Sequence, residues 1–266
     1  MEIVSLGYRT DLALLRLGGT LTEDRGDHLI IRSPHNPTHW WGNFLLLAEV
    51  PSADDPQTWL DRFTAQFPEA DYLAIGFDGT ANTAEDLACF AQRGFNVEVA
   101  VVMTAHSVHQ PARVNAHAVY RSLESDDDWA QSIELRMLCK DSDLDSAPYR
   151  AFVTAKAETN RALVRAGHGR WFGAFINGRL VAQMGLILTE PEVARFQSVE
   201  TEPGHRRRGL AGTLVHYASR QGFDELGAHT LVMVADPEYF AIELYRAVGF
   251  KPAETQLQVE QRPART

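Results

Sequence analysis

The chain has 266 residues, 45% of them hydrophobic and 23% charged, a globular composition and a length suited to one large domain or two compact ones. Its formal charge of −10 argues against a surface made for nucleic-acid phosphates, and its longest apolar runs, such as Phe44–Ala48 and Leu231–Ala235, fall far short of the roughly 20 residues of a bilayer span. No secretory pattern follows Met1, and two cysteines without CxxC spacing, Cys89 and Cys139, fit a reducing, cytoplasmic setting and no structural zinc.

In chain order, Asp27–Ser33 and Trp40–Glu49 read as strands. Adjacent Trp40 and Trp41 would then face opposite sides. A helix is expected over Pro56–Phe67, opened by Asp54, Asp55 and Pro56 and closed by Pro68. Tyr72–Phe77 reads as a strand, Thr83–Arg93 as a helix stopped by Gly94, and Phe95–Thr104 as a strand. His35 and His39 have a metal-ligand spacing only on a helix, which Pro34 and Pro37 disfavour, so a loop without metal is expected. Periodicity fails over Ser107–Ala112, where the domain boundary is placed.

Beyond it, Val114–Leu123 reads as a strand. Ser125 with Asp128 predicts a capping box for a helix that sets Trp129, Ile133 and Met137 on one face, with Asp126–Asp128 suiting the dipole. A helix over Pro148–Ala166 follows. Trp171–Ile176, Asn177-Gly178 and Leu180–Leu188 form the strongest hairpin signal, because Asn-Gly tolerates the positive φ angles of a type I′ turn. Then come a strand at Val193–Thr201, a helix at Gly209–Arg220, a strand at His229–Ala235, a helix at Pro237–Val248 and a strand pair within Phe250–Gln261. Leu73–Phe95 and Leu231–Phe250 share one pattern, a strand then a helix with an aromatic residue five before a closing Gly-Phe. Phe90 and Tyr245 are those residues, and an internal duplication follows.

The segment that carries chemistry is Ser198–Leu214, where a strand passes through Pro203 and a basic turn into a helix. A helix start offers unpaired N–H groups and the positive end of the macrodipole. Gly209, Ala211 and Gly212 cannot block an anion, and Arg206, Arg207 and Arg208 add forked donors at its mouth. Neither G-x-x-x-x-G-K-[ST] nor a G-x-G-x-x-G opening the first βα unit is present.

These residues resemble the GNAT N-acetyltransferase superfamily, whose signature is Gln or Arg, two residues, Gly, one residue, then Gly or Ala. Arg206, Gly209 and Ala211 match it, with Val199, Thr201 and Pro203 at the expected places upstream. The element order from Val114 onward and the segment Glu243–Phe250 are similar to that fold as well. The resemblance implies an α/β protein of two GNAT-like domains, each a mixed, mostly antiparallel central sheet flanked by helices. Residues 1–110 would be a reduced, degenerate copy and 111–266 the acetyltransferase.

It also implies roles. Acetyl-CoA would be the cosubstrate, its pantetheine arm paired with the backbone of Val199 and Thr201, the thioester carbonyl on the Val199 N–H, and the pyrophosphate on the N–H groups of Arg207, Arg208, Gly209, Leu210, Ala211, Gly212 and Thr213. Thr213 could instead bond back along its helix. Tyr245 would be the acid that protonates the departing thiolate. Departures from the family are Glu238, where many members have asparagine, and Arg195, where some have a catalytic glutamate. Glu200 is the candidate base, although strict alternation sets it opposite Arg195, Gln197, Val199 and Thr201. In the first half, the glycine-free acidic loop Val50–Gln57 would repel a phosphate, and Phe90 has no proton to give. The expected acceptor is an amine of a small molecule or peptide, with no nucleic-acid or membrane partner and a homodimer allowed. The alternative is an acyl-CoA-binding sensor or scaffold without turnover.

Overall fold

The computed structural model describes residues 1–51, 56–140, 146–238 and 241–261. Its elements are α1 (Leu6–Leu17), β1 (Leu21–Asp24), β2 (His28–Arg32), β3 (Phe44–Leu47), α2 (Pro56–Gln66), β4 (Leu73–Phe77), α3 (Ala88–Ala91), β5 (Asn96–Ala105) and β6 (Val119–Ser122). They continue with α4 (Asp126–Cys139), α5 (Ser146–Arg165), β7 (Gly169–Ile176), β8 (Arg179–Glu190), β9 (Val193–Thr201), α6 (Leu210–Asp224), β10 (Thr230–Ala235), α7 (Ala241–Arg246) and β11 (Lys251–Gln261). Asp54 and Asp55, expected to open α2, lie outside the described residues, as does half of the acidic loop.

Two compact units result: Met1–Val102 with Ala253–Thr266, and Met103–Pro252. The division therefore falls at 102/103 rather than 110/111, and the chain's end returns to the first unit. That unit orders its strands β1-β2-β3-β4-β11, antiparallel except for the parallel pair β3–β4. The second orders β10-β9-β8-β7-β6, antiparallel except for β9–β10. In each, a hairpin leads into a strand, a helix and a parallel strand. The second unit has two helices, α4 and α5, before its hairpin strands, whereas the first has α1 alone.

The repeated segments also match in detail. Phe95 N donates to the Phe90 carbonyl at 3.2 Å, and Phe250 N to the Tyr245 carbonyl at 3.1 Å. Gly94 and Gly249 both have positive φ, +83° and +120°. The paired rings meet edge to face, at 6.3 Å for Phe90–Phe95 and 6.5 Å for Tyr245–Phe250. One turn geometry thus serves both copies, with glycine supplying the left-handed residue that ends the helix.

Several expectations are corrected. Trp40 and Trp41 lie in a 3-10 turn, Trp40–Gly42, not in a strand. Asn43 holds this turn, its amide donating to the Asn36 and His39 carbonyls and its carbonyl accepting from Ser33 N. Trp40 stacks on Tyr72, and the Trp41 indole donates to Glu260. The helix read over Thr83–Arg93 is a 3-10 turn, Ala84–Leu87, followed by short α3. The strand after Val114 shortens to β6, and the closing pair is the single strand β11. Helix α1 and strand β1 had no reading. The α1 N-terminus is capped by Ser5, whose hydroxyl accepts from Tyr8 N, and is supported from afar: Asp78 accepts from Val4 N and Ser5 N, and Glu254 from Leu6 N.

In the second unit, α4 carries the expected capping box, but its buried row is Asp128, Trp129, Ser132 and Leu135, with Ile133 and Met137 only half-buried. Trp129 packs on Trp171 at 6.0 Å within a cluster that includes Leu123, Leu135, Phe175 and Leu180. Asp128 receives both Arg121 guanidinium nitrogens at 2.7 and 2.8 Å and the N–H groups of Glu124 and Ser125. The Arg121 bonds, against the opposing effect of burial and with the backbone bonds assisting, hold this carboxyl well below the usual carboxylate range. A lowered folded-state pKa stabilises above the unfolded value, about 4, and the effect fades as pH falls below it. Asp128→Asn should therefore cost about 1.5 to 3 kcal/mol in urea unfolding at pH 7. At pH 3 the gap from wild type should narrow, and equal stability at pH 7 would remove Asp128 from this role. The hairpin turn also forms as read, with Asn177 and Gly178 at φ 51° and 79°.

Candidate active site

Strands β9 and β10 pair in parallel at Val193–Thr230, Ala194–Leu231 and Arg195–Val232, and then stop pairing although both run on. On the other side of β9 the register with β8 slips: Gln197 faces Gly185, but Glu200 faces Gln183. Three steps on β9 thus oppose two on β8, a bulge at Ser198, whose φ is +51°. The extra residue reverses the phase of the alternation. Glu200 shares the face of Arg195 and Gln197, contrary to the strict-alternation expectation, and the register gives Ser198 and Val199 no partner on β8.

The parting of β9 from β10 opens a cavity of about 240 Å³, lined by Phe196, Ser198 and Val199, by Met233–Asp236 at the end of β10, and by Ala241 and Tyr245 of α7. Val199 and Tyr245 are thereby brought to one cleft, as the sequence suggested. Tyr245 is 6% exposed. Glu238 is not among the residues that line the cavity.

Thr201 leads through a 3-10 turn, Pro203–His205, to the basic turn. Arg206, Arg207 and Arg208 are exposed, Arg207 has φ +60°, and the Arg206 Nε donates to the Thr201 carbonyl at 3.2 Å. Gly209 is the N-cap of α6 at φ +77°, and no side chain caps this terminus. A Cβ on Gly209 would stand 2.6 Å from the Arg113 carbonyl oxygen, so glycine is required both by its φ and by that close approach. At Gly212 the nearest atom, a Pro111 carbon at 3.5 Å, is an ordinary contact. Thr213 bonds back to the Gly209 carbonyl through Oγ1 at 2.8 Å, and its N–H is paired to the same carbonyl, so it is not available to an anion. Leu210 is buried and Ala211 half-buried. Sequence reading missed Arg113, just before the expected strand, and Asn115, within it, which approach this turn.

Glu200 lies apart from the cleft's lining. One carboxylate oxygen pairs with Arg136 and the other accepts from the Gln183 amide at 2.8 Å. Gln183 is in turn fixed by Ser132 and by the Trp171 indole. Burial lowers the Arg136 pKa but the Glu200 carboxylate and Tyr149 raise it, with a net rise. Nearby, burial and the Glu200 charge push the Cys139 thiol up to about 11, so it is no thiolate at neutral pH. Arg195, where some family members have a catalytic glutamate, is buried at 6% exposure.

Residues 129–250 match the sequence pattern of the acetyltransferase (GNAT) family. This segment is a GNAT acetyltransferase domain. The matched segment runs from α4 through α7, with the bulged β9 at its centre. Solved structures similar in fold extend beyond that domain. A protein of unknown function from Staphylococcus epidermidis aligns with a TM-score of 0.68 at 13% identity, over 92% of this chain and 94% of the other. A GCN5-related N-acetyltransferase from Kribbella flavida gives 0.62 at 16%, over 98% of each chain. A tandem GNAT protein from the clavulanic acid biosynthesis pathway gives 0.54 at 14%, over 95% and 88%. No curated protein matches the chain. Among the described residues, no helix is long and apolar enough to cross a membrane.

Proposed function

We propose that the GNAT domain transfers acetyl from acetyl-CoA to an amine of a small molecule or peptide. The observation that carries this reading is the opening between β9 and β10, where Val199, unpartnered on β8, and Tyr245 line one cleft. The donor set fits the cosubstrate. The start of α6 has no side-chain cap and is flanked by three exposed arginines, which suits a pyrophosphate. The backbone of Val199 and Thr201 would hold a pantetheine arm in the manner of an added strand. Bound acetyl-CoA supplies an acyl group as a thioester. The Val199 N–H is the group to receive negative charge on the carbonyl oxygen, and the Tyr245 hydroxyl is the one to deliver a proton to sulfur.

Glu200 has both oxygens engaged, which favours a structural role and leaves deprotonation of the amine to water or to an acceptor that arrives neutral. That same engagement is what favours the rival reading, an acyl-CoA holder without turnover.

The first unit is proposed as a degenerate copy without a CoA site. Its parallel pair stays closed: Leu45–Ile75, Leu46–Gly76 and Leu47–Phe77 are in register, and Asp78 N still reaches the Leu47 carbonyl at 2.8 Å. The Tyr8 hydroxyl occupies the space against Gly76, 2.5 Å from where a Cβ would sit. Calorimetry on the full chain should give one CoA per chain. A stoichiometry of two would refute the degenerate assignment, and no binding would refute the cosubstrate. Product formation on a panel of amines separates transferase from holder.

A further inference from the structure

The α6 turn is not self-supporting. Arg207 and Gly209 both stand at positive φ, and among the described residues no side chain caps the helix. Its support comes from Asn115, which is 8% exposed and uses every polar group it has. The side-chain amide donates to the Arg208 carbonyl at 2.9 Å, and the backbone N–H donates to Thr213 Oγ1 at 2.9 Å. Its side-chain carbonyl accepts from His117 N and Ala118 N at 3.0 and 3.1 Å, and its backbone carbonyl from the Tyr120 hydroxyl at 3.0 Å. Both ends of the first α6 turn, Arg208 and Thr213, are thus tied to one residue nearly a hundred positions earlier.

The peptide plane converts this tie into a direction. In a trans peptide the carbonyl of Arg208 and the N–H of Gly209 point in opposite senses. Holding the carbonyl toward Asn115 therefore turns the Gly209 N–H away from Asn115. The Thr213 hydroxyl, fixed by the Asn115 N–H, completes the bond to the Gly209 carbonyl and so fixes the second plane of the same residue. A left-handed glycine has wide freedom when unrestrained, and here that freedom is removed from outside the helix.

We propose that Asn115 is a positioning residue for the phosphate-binding turn: it presets the Gly209 peptide so that the α6 terminus is ordered before a pyrophosphate arrives. The inference rests on the CoA reading above and adds to it a residue whose contribution is confined to the pyrophosphate end of the ligand. Binding a preset turn avoids the ordering cost that a mobile one would add.

The test compares CoA with pantetheine, which lacks the pyrophosphate, on the full chain. Two variants serve. Asn115→Ala loses all side-chain bonds. Asn115→Ser keeps a short acceptor for the local turn but cannot reach the Arg208 carbonyl. Both should weaken CoA by roughly three- to tenfold in calorimetry, the loss of about one hydrogen bond. Pantetheine binding, followed by NMR, should stay at the wild-type value. The Gly209 amide resonance should shift less on CoA addition than in wild type. Unchanged CoA affinity in a folded Asn115→Ala protein would overturn the proposal, as would equal weakening of CoA and pantetheine, or loss of fold in both variants, which would make Asn115 a residue of loop stability. Failure of the wild-type protein to bind CoA is a separate outcome, seen before any variant is made, and it removes the underlying reading as well.

Discussion

Gly209→Asp is expected to abolish measurable CoA binding while leaving a folded protein. Two effects combine. Any Cβ at this position meets the Arg113 carbonyl oxygen at 2.6 Å, so the 111–115 segment or the turn must shift. The carboxylate also places negative charge at the start of α6, where the dipole and the arginines favour an anion of the ligand. Charge-assisted bonds are worth roughly 1.5 to 3 kcal/mol each, so losing one or two corresponds to at least about tenfold and up to about 10⁴-fold in affinity. Gly209→Ala separates the effects, carrying the same Cβ without the charge, and should fall between. Gly204→Asp is the control: it adds the same charge in the same connection, where a Cβ would meet nothing within 4 Å. CoA affinity retained by a folded Gly209→Asp protein would move the phosphate site elsewhere.

Tyr245→Phe should slow the chemical step and leave CoA affinity nearly unchanged. The ring is buried, set edge-on to Phe250 at 6.5 Å, and lines the cleft beside Val199, and phenylalanine keeps all of that packing. Only the hydroxyl is lost. General acids contribute typically about 10²- to 10⁴-fold, and the good leaving ability of a thiolate places the effect at the low end. Single-turnover transfer to the preferred amine, set against equilibrium CoA binding and melting temperature, reads the two contributions apart. A wild-type single-turnover rate in the variant returns Tyr245 to the role of a core aromatic. The repeat offers its own comparison, since Phe90 occupies the matching turn with matching hydrogen bonds and has no hydroxyl.

What could be read from the sequence was what depends on neighbours in the chain. Asn177-Gly178 dictates its own turn, Ser125 and Asp128 cap one another across three residues, and Gly209 marks the start of α6. The signature turn and the Gly-Phe helix ends belong to the same class. The bulge at Ser198 did not show, because no glycine marks its positive φ and a single inserted residue becomes visible only when β8 is laid beside it. That one residue decided the face of Glu200 and hence its tie to Arg136. Helix α1 escaped notice although Ser5 caps it locally, because the carboxylates that hold its first N–H groups, Asp78 and Glu254, come from distant parts of the chain. Asn115 escaped for the same reason, since its partners Arg208 and Thr213 lie nearly a hundred residues later, just before and within the first turn of α6.

The return of β11 to the first unit has a bearing on how the protein is made. Leu257 and Val259 of that strand are part of the first unit's core, β11 pairs with β4, and Glu254 caps α1. The Tyr8 hydroxyl, buried, donates to the Leu257 carbonyl. Translation proceeds at about 5 to 20 residues per second, so roughly 10 to 30 s separate the emergence of Val102 from that of the strand that completes its unit. During that interval β4 presents an open edge to other nascent chains. The first-made half of the protein is the last to close, and a ribosome stalled within the second unit carries a chain with that edge unsealed.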